Sequence, residues 1–417
     1  MSTLWSYRFA QRTQRVKSSA IRELLNLAQR PEVISLAGGL PAPEVFPIPR
    51  FREACENVLQ DQGPEALQYS ATEGYLPLRE VIAANTARYG ILAKPENVLI
   101  TSGSQQALDL VGKLLINRGD RVLVEAPTYL GALQAFTVYG ADYVSVPVDH
   151  DGLRTDLLEE ALRSGPKFMY VLPNFQNPGG VTLSEGRRRE LVLLADRYGI
   201  PIIEDDPYGQ LRYEGEHLPP LVAVDRENLR RDNGYTLGNV IYLSTFSKTL
   251  APGLRLAWIV APVEVIAKLV QLKQGADLHT ATFNQMVAYE VARDGYLDEH
   301  VKLIRRVYRE RRDAMLQALQ EFFPPEVSWT HPQGGLFLWV TLPLGMDCHE
   351  LFNAAVRENV AFVPGDCFYA TDDLEARRHF RLNFSYSRPE AIREGIRRLA
   401  VAVRQQMEAL HYASATV

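Results

Sequence analysis

The chain has 417 residues, of which 46% are hydrophobic and 23% charged, so it can bury one large domain and a smaller one. Its net charge of −5 argues against nucleic-acid binding that neutralises many phosphates with a basic face. Three widely spaced cysteines, and apolar stretches interrupted by charges, exclude a disulfide framework, a site of paired thiolate metal ligands and a membrane span.

Residues 1–47 are predicted to form an N-terminal helix and an arm. The first 25 residues lack the apolar core of a secretory signal, and we therefore expect a cytoplasmic protein with reduced cysteines. The segment ISLAGGLPAPEVFP (34–47) is too rich in glycine and proline for regular structure. We expect it to be an extended arm that lies on the body of the protein.

Residues 48–285 alternate between strand and helix patterns. NVLITSG (97–103) reads as a strand, and the helix SQQALDLVGKLLINRG that follows is predicted to end at Gly119. The runs RVLVEAPTY, YVSVPVD, KFMYVLPNF, IPIIEDDPY and NVIYLSTFSK read as further strands, and 184–199 as a helix. Such alternation predicts an α/β domain with a mostly parallel sheet covered by helices on both faces.

The order of predicted strands and helices changes after residue 285. A long charged helix is predicted over 298–322, followed by the strand PQGGLFLWVTLP, a helix near 347–358, the strand HFRLNFSY and a final helix to about 410. Residues 286–417 are therefore predicted to form a smaller α+β domain.

Polar residues follow several of the predicted strands, at the edge where open parallel sheets bind ligands. Gly103 and Ser104 precede a helix and suit a phosphate cradle, although Ser104 alone is equally an N-cap residue. Tyr129 follows the next strand, where its ring either stacks on a flat heterocycle or packs as an ordinary tyrosine.

Two further clusters carry amides and carboxylates. Asn174 and Asn177 lie in a Pro/Gly turn, where asparagine is also common for local reasons. Glu204, Asp205 and Asp206 end an apolar strand, and carboxylates there are costly unless a positive group meets them. One of the three could instead cap a loop.

Lys248 is one of only eight lysines and follows the strand VIYLS. It is flanked by Thr245 and Ser247, with Arg255 downstream. A lysine in a desolvated pocket loses its proton more easily and becomes a nucleophile for carbonyl carbon. The alternative is a solvated surface lysine.

Taken together, the clusters offer a phosphate cradle with an arginine, a stacking ring, a carboxylate for a ring nitrogen, donors for a ring oxygen and an amine for an aldehyde. Those are the requirements of pyridoxal 5′-phosphate held as a Schiff base. The order of the clusters and their common position at strand ends support a pyridoxal-phosphate site.

With these motifs the chain resembles the fold-type I pyridoxal-phosphate enzymes, and among them the class I/II aminotransferases. It is most similar to the subgroup of 2-aminoadipate (LysN-type) and kynurenine or aromatic aminotransferases. The resemblance runs through SSAIRELL, AGGLPAPEVFP, LQYSATEGY, TSGSQQALDL, QNPGG, EDDPY, TFSK and FRLNFSY. It departs from the family pattern at Gly179, where the usual turn NPTG is NPGG and a hydroxyl is lost.

The resemblance implies roles for individual residues. Lys248 would form the Schiff base and move a proton, and Asp205 would pair with the ring nitrogen. Tyr208 and Asn177 would bond the ring oxygen, and Tyr129 would stack on the ring. The residues implied for the phosphate are Ser104, Gln105, Thr245, Ser247 and Arg255.

The resemblance also implies substrate contacts and a homodimer with shared active sites. Arg381 would bind the substrate α-carboxylate by a bidentate fork, unless it forms an ordinary ion pair, and Gly39 would lie beside the substrate. Arg22 matches an arginine that meets a side-chain carboxylate, or is a solvated residue on an amphipathic helix. Tyr69 would reach into the neighbouring subunit's phosphate site.

The predicted activity is a transamination between an L-amino acid and a 2-oxo acid such as 2-oxoglutarate. Donors would be 2-aminoadipate, glutamate, aromatic or aliphatic amino acids, with no nucleic-acid or membrane partner. A β-lyase or a synthase on the same scaffold is the first alternative. A transcription regulator with an added winged helix is disfavoured because AGGLP already begins at residue 37, and a silent binding module because Lys248 is intact.

Overall fold

The computed structural model describes residues 4–15, 32–228, 238–371 and 373–415. In the arm, Ile34–Ser35 form a two-residue strand, β1, and Pro43–Val45 form a 3₁₀ turn. The prediction that 34–47 contains no regular structure is therefore wrong at these two points. The reason is tertiary: β1 pairs in parallel with Val360–Ala361, more than three hundred residues away.

An eight-stranded sheet forms the centre of the larger part of the chain. Most of its strands are wholly or largely buried, as expected for strands covered on both faces, whereas β4 is mostly half-buried. They are β2 (Val98–Thr101), β3 (Arg121–Ala126), β4 (Asp142–Asp149), β5 (Gly152–Leu153), β6 (Phe168–Val171), β7 (Ile202–Asp205), β8 (Val240–Thr245) and β9 (Ala257–Val260). The spatial order is β2-β9-β8-β7-β6-β3-β4-β5, and the run β8-β7-β6-β3-β4 is parallel throughout.

Helices cover both faces of this sheet. The helices of this part of the chain are α1 (Ile48–Ala66), α2 (Leu76–Ala87), α3 (Ser104–Leu115), α4 (Leu130–Thr137), α5 (Leu158–Arg163), α6 (Glu185–Tyr198), α7 (Leu221–Asn228), α8 (Val263–Gln274) and α9 (Thr282–Ala292). On one face, α3, α4 and α8 form one apolar cluster with the strands. On the other, the cluster includes α1, α2, α5, α6, α7 and α9. The predicted mostly parallel sheet between helical layers is confirmed.

Two local predictions in this region need correction. α3 ends at Leu115, not at Gly119, because Ile116 already has an extended backbone. Gly119 lies instead in the turn that follows. Its φ is +89°, and its amide donates to the Gly140 carbonyl. The sequence analysis also missed β9, which runs antiparallel to both β2 and β8.

A smaller antiparallel sheet follows α10 (Tyr296–Phe322). It contains β10 (Ser328–Trp329), β11 (Phe337–Thr341), β13 (Val363–Pro364) and β14 (His379–Asn383), in the order β10-β11-β14-β13. The remaining elements are α11 (Cys348–Arg357), β12 (Val360–Ala361) and α12 (Pro389–Ala415). The predicted smaller α+β part is confirmed, and Trp339 of β11 stands opposite Arg381 of β14.

The arm contacts both parts of the chain. The Leu36 amide donates to the Ala361 carbonyl, the Leu36 carbonyl accepts from the Asn383 amide, and the Ala42 amide donates to the Tyr308 hydroxyl of α10 at 3.0 Å. On the side of the larger part, the Gly39 carbonyl accepts from Lys248. The division at 47/48 and 285/286 remains our proposal, and its second boundary falls inside α9. None of the helices in the described part of the chain is long and apolar enough to cross a membrane.

Candidate active site

Loops that follow the parallel strands bring most of the predicted site residues together. Asp205 ends β7, and Lys248 lies just beyond β8. The charges of Asp205, Arg381 and Arg255 all act on the pKa of Tyr129, which precedes α4. Residues from several separate elements therefore share one cleft between the two sheets.

Lys248 lies in a polar turn, where its Nζ donates to the Gly39 carbonyl of the arm at 3.0 Å. Burial, together with the positive charges of Arg381 and Arg255, lowers the pKa of this amine to about 8. At pH 7 roughly a tenth of Lys248 is thus neutral, far more than for an ordinary lysine, and the neutral amine is the form that attacks a carbonyl carbon. The solvated-lysine alternative does not describe this residue.

Asp205 is 1% exposed, and only one of its oxygens is bonded. Oδ2 accepts from the Tyr170 hydroxyl at 2.7 Å, while the buried Oδ1 has no hydrogen-bond partner among the described groups. Burial raises the pKa of the carboxyl to about 7. A buried carboxylate with a free oxygen fits a cationic partner such as a protonated ring nitrogen.

The loop from β2 into α3 forms an anion cradle. Gly103 has φ +83°, and a Cβ at this position would lie 2.3 Å from the Arg255 Nη2, so the guanidinium packs directly over the glycine. The Ser104 hydroxyl is buried without a hydrogen-bond partner, and it begins a helix whose first amides are free. The N-cap alternative for Ser104 is wrong, because the cap residue is Gly103.

The other residues predicted for the phosphate have partners of their own. The Gln105 side chain donates to the Gly131 carbonyl at 2.9 Å, so only its backbone amide remains for an anion. Thr245 Oγ1 lies 2.9 Å from Ser247 Oγ and also donates to the Leu256 carbonyl at 3.0 Å. These contacts hold the turn before Lys248 in place.

Tyr129 and Tyr208 lie near Asp205 and Arg381, and Asn177 contacts both Tyr208 and Arg381. Tyr208 is buried, and its hydroxyl is hydrogen-bonded to Asn177. Tyr129 is partly buried, and its ring folds back over Gly131, where a Cβ would lie 2.5 Å from the ring. The glycine therefore allows the ring orientation that the motif EAPTYLGA requires.

Arg381 is a buried arginine, 3% exposed, with no carboxylate partner among the described residues. It donates to Asn177 Oδ1 and to the Ala37 carbonyl, each at 2.7 Å, and its Nε has no partner. Its guanidinium lies between the rings of Phe337 and Phe368, 4.2 Å and 4.9 Å from their centroids. Arg381 forms no ion pair within the described part of the chain, and a buried cation without an anion favours an anionic ligand.

The structure does not bring every predicted residue into this cleft. Tyr69 is 78% exposed, with its ring edge-on to His279. Gly39, in contrast, lies within the cleft, since its carbonyl accepts from Lys248 and its Cα faces Phe337. Arg22 lies outside the described residues.

The side chains of the three carboxylates at the end of β7 point to different faces of the sheet. Glu204 accepts the amides of Leu221 and Val222 and so caps α7. Asp206 accepts from the Tyr242 hydroxyl at 3.0 Å and from the Asn174 amide at 2.9 Å. Side chains alternate along a strand, so only Asp205 points into the cleft.

Sequence reasoning missed Tyr170 and Gln176. Tyr170 had one usable signal, a hydroxyl in the middle of the otherwise apolar strand FMYV. Gln176 is buried, donates to the Pro127 carbonyl at 3.0 Å and accepts from the Gly179 amide at 3.3 Å, which holds the NPGG turn. A Cβ on Gly179 would lie 2.7 Å from Gln176 Oε1, so a larger residue at this position would displace the Gln176 amide.

Unpaired buried atoms thus stand at three places in one cleft: the Ser104 hydroxyl, the Asp205 Oδ1 and the Arg381 Nε. They match a phosphate, a ring nitrogen and a substrate carboxylate, with a low-pKa amine at Lys248 for an aldehyde. Such a set of groups is the hallmark of an enzyme that uses pyridoxal 5′-phosphate.

The family model of aminotransferase class I and II matches residues 31–399, and the chain belongs to this family. It is 48% identical over 407 residues to aromatic-amino-acid aminotransferase 1 of Thermococcus litoralis, covering 96% of this chain and 95% of the relative. It is also 48% identical over 402 residues to 2-aminoadipate transaminase of Thermus thermophilus, with 96% and 97% covered.

A solved structure supports the same family assignment. LysN, the α-aminoadipate aminotransferase of Thermus thermophilus, complexed with N-(5′-phosphopyridoxyl)-L-leucine, matches with a TM-score of 0.89 and 44% identity. The match covers 98% of this chain and 100% of that one. The predicted fold type I, aminotransferase activity and pyridoxal 5′-phosphate cofactor are confirmed.

Proposed function

We propose that the enzyme transfers the amino group of 2-aminoadipate, glutamate or an aromatic amino acid to a 2-oxo acid, with 2-oxoglutarate as the main acceptor. The observation that carries the proposal is the buried Arg381, which has no carboxylate of its own among the described residues. The names of the relatives at 48% identity support the donor classes. The cytoplasm is the compartment we propose, in keeping with three free cysteines.

When bound, pyridoxal 5′-phosphate supplies an aldehyde for the amino group and a protonated ring that draws electrons from the substrate carbon. Lys248 would hold the aldehyde carbon, and Asp205 the ring nitrogen. Asn177 and Tyr208 would bond the ring oxygen, and Tyr129 would stack on the ring. The phosphate would be held by Ser104, the Gln105 amide, Thr245, Ser247 and Arg255.

Lys248 has a second task in this proposal. Once the substrate amine has replaced it, its Nζ accepts the proton that leaves the substrate Cα and later returns it on the product side. A pKa of about 8 suits an amine that must both accept and give up a proton near neutral pH. Arg381 meanwhile fixes the α-carboxylate and thereby the orientation of the Cα–H bond.

A donor panel tests the substrate class. We expect 2-aminoadipate and aromatic amino acids to be turned over with 2-oxoglutarate, and glutamate to react in the first half-reaction, followed by the cofactor absorption. If Arg22 binds a side-chain carboxylate, Arg22→Ala lowers kcat/KM for 2-aminoadipate and glutamate by about tenfold or more and leaves aromatic donors unchanged.

Arg15→Ala is the matched control, because Arg15 is an exposed arginine that is close to Arg22 in the sequence. It should leave all donors unchanged. Equal kcat/KM for acidic donors before and after Arg22→Ala would contradict the role of Arg22. No turnover of any acidic or aromatic donor would contradict the proposed substrate class.

We also propose a homodimer whose subunits share active sites. The support is Tyr69, whose aromatic side chain is 78% exposed, and two further exposed apolar residues close to it in the sequence, Leu67 and Leu76. Exposed apolar side chains of this kind are typical of an interface with a second copy. Tyr69 would then complete the phosphate site of the neighbouring subunit.

Mixing two defective variants tests this arrangement. In a hybrid of Tyr69→Ala and Lys248→Ala subunits, one site has both native residues, so a statistical mixture should recover about a quarter of wild-type activity. The measurement is activity after joint refolding or co-expression, compared with the mean of the two parent proteins. Tyr386→Ala, at another exposed tyrosine, should be active by itself. A mixture that stays at the mean of its parents would refute shared sites.

A further inference from the structure

Two buried tyrosine–aspartate pairs stand on opposite faces of the large sheet. Tyr170 of β6 donates to Asp205 at 2.7 Å on the face covered by α3 and α4. Tyr242 of β8 donates to Asp206 at 3.0 Å on the other face. The two pairs have the same chemistry, but only the first has a carboxylate oxygen left without a partner, the Oδ1 of Asp205.

The Tyr170 hydroxyl is held in place by the sheet. Tyr170 is paired with Ile203, two residues before Asp205, so both side chains point to the same face of neighbouring strands. Phe136 of α4 packs edge-on to the tyrosine ring, with centroids 5.8 Å apart. Burial, with the charge of Asp205, raises the pKa of Tyr170 well above its ordinary value, so the hydroxyl stays protonated and donates.

We propose that Tyr170 is a positioning residue for the cofactor: by donating to Oδ2 it keeps Asp205 ionised and presents the free Oδ1 to the ring nitrogen. This inference rests on the proposed role of Asp205. The carboxylate receives its one described hydrogen bond from Tyr170, so no second donor among the described residues takes over when the hydroxyl is removed.

The other charged and titratable groups near Asp205 do not replace this bond. The negative charge of Asp206 favours the neutral acid, as does burial. Tyr129 and Tyr208 are also close enough to feel its charge, and both have raised pKa values, so they add no positive charge. Loss of the Tyr170 hydroxyl therefore shifts the carboxyl towards its protonated form.

The test compares Tyr170→Phe with its matched control Tyr242→Phe in the full-length chain. Each variant loses one buried hydroxyl from a tyrosine–aspartate pair and keeps its ring. The cofactor is removed, and its dissociation constant is measured by fluorescence titration from pH 5 to pH 9. Thermal unfolding of each protein is recorded alongside.

Binding requires the ionised carboxylate, so it weakens as pH falls through the pKa of Asp205. A raised pKa moves this loss to higher pH. We expect Tyr170→Phe to bind the cofactor roughly tenfold more weakly at pH 7 and to shift the acid limb upward by about one pH unit. Tyr242→Phe should lower the melting temperature without moving either quantity.

An unchanged dissociation constant and acid limb in Tyr170→Phe would overturn the inference, as would equal effects of both variants. Asp205→Asn separates this failure from a failure of the proposed function. If Asp205→Asn weakens cofactor binding and Tyr170→Phe does not, the role of Asp205 stands and that of Tyr170 falls. If Asp205→Asn has no effect, the role of Asp205 itself is wrong.

Discussion

Lys248→Ala is expected to lower amino-transfer activity by roughly 10²–10⁴-fold or more and to remove the visible absorption of the covalently held cofactor. Both effects follow from a single atom, because Nζ is the amine for the aldehyde and the base for the substrate Cα proton. Its contact with the Gly39 carbonyl places it in the cleft, where its pKa is lowered to about 8. Absorption spectra and single-turnover rates measure the two roles separately.

Two controls separate the nucleophile from the charge. Lys248→Arg retains a cation but has no amine for carbonyl chemistry, and should lack the Schiff-base absorption band as Lys248→Ala does. Lys268→Ala, at an exposed lysine of α8, should keep both colour and activity. Borohydride should add the mass of the cofactor to the peptide that contains Lys248. A label on another peptide, or an unchanged spectrum in Lys248→Ala, would contradict the assignment.

The sequence predicts the cleft because the geometry of parallel strands is local. A strand followed by a helix, repeated, places every strand end at the same edge of the sheet. Tyr129, Asn177, Asp205 and Lys248 could therefore be grouped before any contact was known. The choice of Asp205 among three carboxylates came from the family resemblance, and the alternation of side chains along β7 explains it physically.

Long-range pairing is what the sequence could not reveal. Three contacts illustrate this: the parallel pairing of β1 with β12, the contact of Lys248 with Gly39 and the antiparallel pairing of β9 with β8. Each joins residues far apart in the sequence, and the local pattern around one does not predict the other. Tyr170 was missed for the same reason, since an aromatic residue in a buried strand is ordinarily core. A role can be assigned to its hydroxyl only when Asp205 is known to lie on the adjacent strand.

Arg381→Lys should lower kcat/KM for amino-acid donors by about 10²–10³-fold while the visible absorption of the cofactor is retained. The lysine keeps the positive charge that helps to lower the pKa of Lys248. It loses the planar fork, which spans a carboxylate with two parallel hydrogen bonds. It also leaves Asn177 and the Ala37 carbonyl without the donors they have now. Steady-state kinetics with saturating 2-oxoglutarate measure this decrease in kcat/KM.

Arg312→Lys serves as the control for damage to a buried arginine, because Arg312 is 1% exposed and donates to the Pro332 carbonyl outside the cleft. It should lower stability more than kcat/KM. The sharper comparison pairs phenylalanine with phenethylamine, which lacks the α-carboxylate. If Arg381 binds that group, the wild-type enzyme prefers the amino acid strongly and Arg381→Lys loses most of the preference, since only the amino acid loses a contact. Equal losses for the acid and the amine would show that Arg381 supports the fold of the cleft and does not bind the substrate carboxylate.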